Sequence, residues 1–131
     1  MRNVDPAKIP DKGVRADMTL IKAGFTPNSD AEAITMQFVI DNGPHCGKKI
    51  SHTFRPWERV TEETGKKFAT PREAVDCFRG KCYQWRISAM VSPEKFKYNG
   101  KVGYTYNICF VDDARNEPDI NLDPEPKQFQ R

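Results

Sequence analysis

Apolar and polar residues alternate along five stretches of this chain, with the period of two that is typical of a half-buried β-strand. In the first stretch, Val14, Ala16, Met18 and Leu20 share one side, and polar residues occupy most of the other. The five stretches are residues 14–22, 33–41, 48–57, 81–92 and 101–111. The pattern therefore predicts a mainly β protein built from short strands.

The alternation is absent from residues 58–80, where helix-forming residues predominate. Within this segment, Thr70-Pro71-Arg72-Glu73 combines an N-cap residue, a proline at the first helical position and an acidic first turn. We expect a short helix that ends at Gly80 and a further helical turn over residues 58–64. A helical connection thus separates the third strand from the fourth.

This order of elements predicts a five-stranded antiparallel, OB-like (oligonucleotide-binding) Greek-key barrel, with a helical connection between strands 3 and 4. A plain α+β sandwich of the same elements is the alternative. Residues 1–12 are polar, contain two prolines and are expected to form an extended arm. Residues 13–111 are predicted to be the folded domain, and residues 112–131 a disordered, acidic, proline-containing tail.

The junction between the last two strands carries the most informative residues of the chain. Asn99-Gly100 is a strong signal for a two-residue hairpin turn, because both residues tolerate positive φ angles. Around this turn, basic residues for phosphates interleave with aromatic rings for bases, the two ingredients of sequence-tolerant single-strand binding. A hairpin that lysines merely keep soluble is the alternative for this segment taken alone. The residues concerned are Lys95, Phe96, Lys97, Tyr98 and Lys101.

Charge is distributed unevenly along the chain, and this bears on its partners. Residues 1–111 carry 18 Lys and Arg against 12 Asp and Glu, a net +6, whereas residues 112–131 carry 3 against 6, a net −3. A basic body followed by an acidic block is typical of a protein with an interaction tail. No apolar run approaches the roughly 18 residues of a membrane span, and no signal peptide is evident. We therefore expect a cytoplasmic protein with reduced cysteines.

Further candidate DNA-binding residues lie where OB barrels hold their ligands, on the outer sheet face and the loops beside it. Trp57 is either a stacking platform or a cap on the end of the barrel. Trp85, Tyr104 and Tyr106 are assigned to the core, which leaves their neighbour Arg86 facing outward. The candidates outside the hairpin are Lys22, Phe25, Lys49, Arg55, Trp57 and Arg86.

Catalytic signatures are absent from the sequence. It contains neither the phosphate-cradling Gly-x-x-x-x-Gly-Lys-Ser/Thr motif nor the Gly-x-Ser-x-Gly nucleophile motif. The four cysteines lack the Cys-x-x-Cys spacing of common zinc sites. We expect a non-enzymatic protein with no metal and no cofactor.

From Ile9 to Val111 the chain resembles the small single-stranded-DNA-binding-like proteins encoded in phage replication and recombination gene clusters. The resemblance rests on five short motifs, Ile9-Pro10-x-x-Gly13, Phe38-Val39-Ile40-Asp41-Asn42-Gly43, Gly47-Lys48-Lys49-Ile50-x-x-x-Phe54, Phe78-Arg79-Gly80-Lys81 and Tyr98-Asn99-Gly100. It implies an OB-like fold, coating of single-stranded DNA, a location in the host cell cytoplasm and no assigned catalytic residue.

Two functions compete at this point. The first is a non-catalytic protein that coats single-stranded DNA during phage replication or recombination. The second is a phage interaction module that binds a host or phage replication or defence protein instead of DNA, which the modest net charge of +3 favours. Recruitment of replication or recombination proteins by the acidic tail, and a homo-oligomer, stay open. No membrane partner is expected.

Overall fold

The computed structural model describes residues 2–26 and 33–111. Loop residues 27–32 and the whole of the predicted tail, 112–131, lie outside this description. The described chain forms a short 3-10 turn, five strands and two α-helices. In chain order these are the turn Pro6–Lys8, β1 (Val14–Phe25), β2 (Ile34–Ile40), β3 (Lys49–Phe54), α1 (Arg59–Thr64), α2 (Pro71–Arg79), β4 (Arg86–Tyr98) and β5 (Lys101–Phe110).

The five strands form one antiparallel sheet in the order β3-β2-β1-β4-β5. The mainly β architecture and the helical connection between β3 and β4 are thereby confirmed. Strands β3 and β5 are the two edges of the sheet, and in the described residues no ladder joins them. They approach through side chains instead, since the rings of His52 and Phe110 meet edge to face at 5.7 Å. The sheet is therefore open.

Both helices form where local residue chemistry predicts them. The Thr70 hydroxyl accepts a hydrogen bond from the backbone N–H of Glu73 at 3.2 Å, which caps α2. The first helix ends at Gly65, whose φ of 78° is open to glycine but strained for other residues. Among the described residues, no helix is long and apolar enough to cross a membrane.

An aromatic cluster around Trp85 forms the centre of the core. Trp85 is almost completely buried, as predicted, and contacts one ring from β2, one from α2 and one from β5. The ring centroids of Phe38, Phe78 and Phe110 lie 6.0, 5.3 and 5.8 Å from that of Trp85. Phe78 thus packs the helical connection onto the sheet, and Arg79 Nε adds a hydrogen bond to the Ala23 carbonyl of β1 at 3.2 Å.

The N-terminal residues pack against the domain at its open edge, which differs from the extended arm that their polarity predicts. Val4 and Ile9 are buried in the core. The backbone N–H of Val4 donates to the Lys49 carbonyl at 2.9 Å, and the Tyr106 hydroxyl donates to the Val4 carbonyl. Two apolar residues were enough to dock a segment that is otherwise polar. The segment therefore touches both edge strands, β3 and β5.

Alkaline pH should loosen this attachment. Burial, and to a lesser degree the charge of Asp5, raises the pKa of Tyr106 above its usual value near 10.0. Between the two pKa values the folded protein holds a proton that the unfolded chain has lost, so stability falls as pH rises through about 10. Tyr106→Phe should lower the free energy of unfolding by about 1 kcal/mol at neutral pH, the value of one hydrogen bond. It should also reduce the loss of stability at alkaline pH.

Urea denaturation between pH 8 and pH 11 measures both effects of Tyr106→Phe. Tyr104→Phe is the matched control, because it removes a hydroxyl from an exposed tyrosine of the same strand. Equal alkaline curves for wild type and Tyr106→Phe would show that this tyrosine does not carry the effect.

Candidate nucleic-acid interface

The last two strands extend beyond the rest of the sheet as a two-stranded arm, residues 94–105. The β4–β5 pairing continues without interruption from Ala89↔Phe110 to Tyr98↔Lys101. At the tip, Asn99 and Gly100 have φ angles of 52° and 79°, as the predicted two-residue hairpin turn requires. The pairing of β1 with β4 ends at Val91, so beyond this residue β4 pairs with β5 alone in the described structure, and the arm exposes both of its faces.

Successive side chains of a strand point to opposite faces, and the register therefore divides the arm into two surfaces. The aromatic face holds Phe96, Tyr98 and Lys101, and the lysine face holds Lys95, Lys97, Val102 and Tyr104. All seven residues are exposed. The structure thus places the predicted stacking rings and two of the predicted phosphate ligands on opposite sides of the same ribbon. Of the three lysines, Lys101 is the one that shares a face with the rings.

Phe96 has a defined position on the aromatic face because it lies over a glycine. Gly103 is its cross-strand partner, and a Cβ atom added there would come within 2.5 Å of the Phe96 ring. The ring therefore occupies the space that any other residue at 103 would need. Phe96 is nevertheless 48% accessible to solvent, and Tyr98 is 71% accessible. The arm therefore exposes two aromatic rings, and neither stacks on another ring in the described structure.

Two further predicted cations lie on the outer face of the main sheet. Arg86 opens β4 opposite Thr19 of β1, and Lys22 lies three residues farther along β1 opposite Gln37. Both are exposed. Arg86 has the same strand phase as Phe96 and Tyr98, since all three are even-numbered residues of β4. The outer sheet face and the aromatic face of the arm therefore form one side of a continuous strand.

Two carboxylates lie between these cations and the arm. Asp17 accepts hydrogen bonds from the Ser88 hydroxyl and, at 2.7 Å, from Asn42 Nδ2. Asp41 accepts one from the Thr19 hydroxyl at 2.7 Å. A phosphate backbone laid directly across this region would be repelled, whereas amino groups of bases can donate to carboxylates. The carboxylates favour bases over phosphates where they lie, whereas Arg15, exposed opposite Met90 on the same face, favours phosphates.

The remaining candidates lie elsewhere. Phe25 ends β1 on its inner side, is half-buried, and has the Arg72 guanidinium 5.0 Å above its ring. Trp57 is half-buried against the core, in agreement with a capping position. Lys49 begins β3 and is bridged to Asn3 of the N-terminal segment, and Arg55 is exposed just after the same strand. These four residues lie on or beside strands other than those of the arm.

Sequence reasoning missed an exposed aromatic residue, Tyr83. The alternation predicts it in the fourth strand, buried on the same side as Trp85, and this is wrong. Residues 81–84 form turns, the strand begins at Arg86, and Tyr83 is 74% accessible. Its φ of 68° is rare for a residue with a side chain and costs on the order of 1–3 kcal/mol. No local signal announces such a residue, because the conformation depends on its contact with β1.

The cysteines differ in their surroundings and none forms a disulfide. Burial raises the pKa of the Cys82 thiol, an effect that the charge of Arg79 partly offsets, and such a thiol is a poor nucleophile at neutral pH. Cys109 is exposed on the outer face of the sheet, where it lies opposite Met90 of β4. Within residues 2–26 and 33–111, no three His, Cys, Asp or Glu side chains cluster as a metal site would require.

No family model, curated protein or solved structure matches this chain. Its function is therefore inferred from its own residues and fold.

Proposed function

We propose that this protein is a non-catalytic single-stranded-DNA-binding protein that coats DNA during phage replication or recombination. The observation that carries the proposal is the β4–β5 arm. It presents Phe96 and Tyr98, both largely exposed, beside Lys101, with Lys95 and Lys97 on its other face. Exposing aromatic rings to water is energetically unfavourable and often marks an interaction site. Rings flanked by cations are the groups that single-strand binders use.

An OB-like barrel, opened between its edge strands, is the fold that best accommodates this role. Such barrels are partly open and five-stranded, and the loop between their fourth and fifth strands closes on the ligand. Here that connection is the arm itself. The near approach of His52 and Phe110 and the docked N-terminal segment support this interpretation of the gap between β3 and β5.

Single strands are the favoured ligand, because stacking requires bases whose faces are free. In a duplex the base faces are covered, and a ring at the tip of an arm reaches only the groove edges. Two adjacent rings on one strand face, Phe96 and Tyr98, are spaced two residues apart. That spacing gives about 6.6 Å between them along the strand. The contacts are to faces shared by all four bases, so binding should be tolerant of sequence.

Titration of a fluorescent single strand and of the matching duplex over a range of salt concentrations tests the proposal. We expect a clear preference for the single strand and a steep salt dependence. Each phosphate contact to a single strand contributes about 0.7 to the slope of log K against log salt. Lys95→Gln/Lys97→Gln/Lys101→Gln should therefore lower the slope by up to about 2.

The control variant Lys8→Gln/Lys12→Gln/Lys67→Gln removes the same charge from exposed lysines outside the arm. It should leave most of the slope intact. Equal slopes for the two triple variants would show that the arm is not where phosphates bind. Equal or absent binding of both DNA forms at low salt would contradict the proposed function itself.

That last outcome would favour the second candidate, a protein-interaction module. The observation that supports it is the outer edge of β5. Along the arm this strand pairs only with β4, and it exposes Val102 and Tyr104. An edge strand with exposed apolar side chains can accept an extended peptide as an additional strand.

A further inference from the structure

Tyr83 lies in the turn that precedes β4, at the end of the sheet that is remote from the arm, and two exposed cations lie a few residues from it. Its backbone N–H donates to the Leu20 carbonyl at 2.6 Å, which fixes it beside β1. Lys22 lies two residues after Leu20 on β1, and Arg86 lies three residues after Tyr83. Three residues of backbone span at most about 11 Å, so the backbones of an exposed tyrosine and two exposed cations lie close together at this end of the sheet.

The conformation of Tyr83 makes its side chain hard to explain as a structural residue. Its φ of 68° favours glycine or asparagine, and 74% of the residue contacts solvent. A glycine would serve the same turn with less strain and without an exposed ring. Strained backbone that holds an exposed side chain in place is typical of a functional position.

We propose that Tyr83, with Lys22 and Arg86, is a second base-stacking site for the same DNA strand that the arm binds. This inference rests on the proposed function. Lys22 and Arg86 neutralise phosphates on either side of a base that stacks on the Tyr83 ring. The second site lies at the start of β4 and the rings of the arm lie near its end, so one strand of DNA runs along the outer face of β4.

The length of the bound DNA follows from this placement. Arg86 and Tyr98 are the first and last residues of β4, which makes about 40 Å along a fully extended strand. Between them the strand passes Asp17, which lies opposite Ser88. The carboxylate disfavours phosphates and accepts hydrogen bonds from base amino groups, so the bases face the sheet where the strand passes Asp17. The occupied site is therefore longer than the few nucleotides that the arm can contact.

Affinity measured against oligothymidylates of about 4 to 16 nucleotides, the range of site sizes for single OB domains, tests the inference. For the wild type, affinity should rise with length until the strand spans both sites and then level off. In Tyr83→Asn, which suits the positive φ but has no ring, the affinity should level off at a shorter length. Binding of the longest oligonucleotide should weaken by roughly 5- to 100-fold. Tyr83→Phe keeps the ring and should behave as the wild type.

The midpoint of thermal unfolding should be unchanged or higher in Tyr83→Asn, which separates lost binding from lost folding. If Tyr83→Asn binds every length as the wild type does while the arm variants bind weakly, the second site is contradicted and the proposed function stands. If the wild type binds no single-stranded DNA, both fail. If Tyr83→Phe weakens binding as much as Tyr83→Asn, the hydroxyl and not the ring makes the contact, and stacking is contradicted.

Discussion

Replacing Phe96 with leucine and Tyr98 with alanine is expected to weaken binding to single-stranded DNA by about 1–3 kcal/mol for each base that loses its ring. Leucine at 96 keeps an apolar cover over Gly103, so the pairing of the arm should survive. Both replaced rings are exposed and lie outside the core. The free energy of unfolding should therefore change by no more than about 0.5 kcal/mol, as for ordinary surface substitutions. Fluorescence anisotropy with a labelled oligothymidylate measures the loss.

The two faces of the arm supply the control for this experiment. Tyr104 belongs to the lysine face, and Tyr104→Ala removes an exposed ring from the same hairpin. It should leave affinity nearly unchanged if bases stack on the aromatic face alone. A loss as large as that of Phe96→Leu/Tyr98→Ala would mean that bases stack on both faces. If neither variant changes the affinity for single-stranded DNA, the aromatic rings of the arm are not part of the binding site.

Trp85→Ala should destabilise the fold by about 3–5 kcal/mol, because it deletes a large buried ring and leaves a cavity. Its neighbours Phe38, Phe78 and Phe110 belong to three different elements and all contact this ring, while Phe38 and Phe110 also contact each other. Typical domains are stable by about 5–15 kcal/mol, so the variant should be close to unfolding at room temperature. Urea denaturation followed by far-UV circular dichroism measures the change.

Arg86→Ala is the matched control, because Arg86 directly follows Trp85 in the chain but is exposed. Its effect on stability should remain within about 0.5 kcal/mol. A small effect of Trp85→Ala would show that the surrounding rings collapse into the space, and that the helical connection is held to the sheet by other contacts.

Local chemistry predicted most of the elements of the fold. The turn at Asn99-Gly100 forms because both residues accept positive φ, and α2 begins at Thr70 because its hydroxyl caps the helix. Such features depend on residues a few positions apart. Alternation with a period of two placed all five strands, although it both began and ended the fourth strand too early. The turn at residues 81–84 was missed because Tyr83 and Trp85 continue the alternation that the strand establishes.

The positions of the candidate residues in the fold were harder to predict than the strands. Basic and aromatic residues of the arm could be named from composition around the turn, and the alternation of the strand separates their faces. Their relation to Val102 and Tyr104 follows only from the register across the hairpin. Phe25 was expected to stack on bases and Trp57 either to stack or to cap the end of the barrel, and tertiary packing placed both against the core.

Residues near each other in the chain thus decide the strands, the caps and the hairpin turn, because dihedral preferences and hydrogen bonds to neighbours act over short distances. Contacts between distant residues decide the rest. The hydrogen bond from Tyr83 to Leu20 holds a strained tyrosine in solvent, and the pairing of Val4 with Lys49 docks a polar segment at the open edge. Neither outcome is encoded in local periodicity, since the partners lie more than forty residues apart and meet only when the sheet has formed.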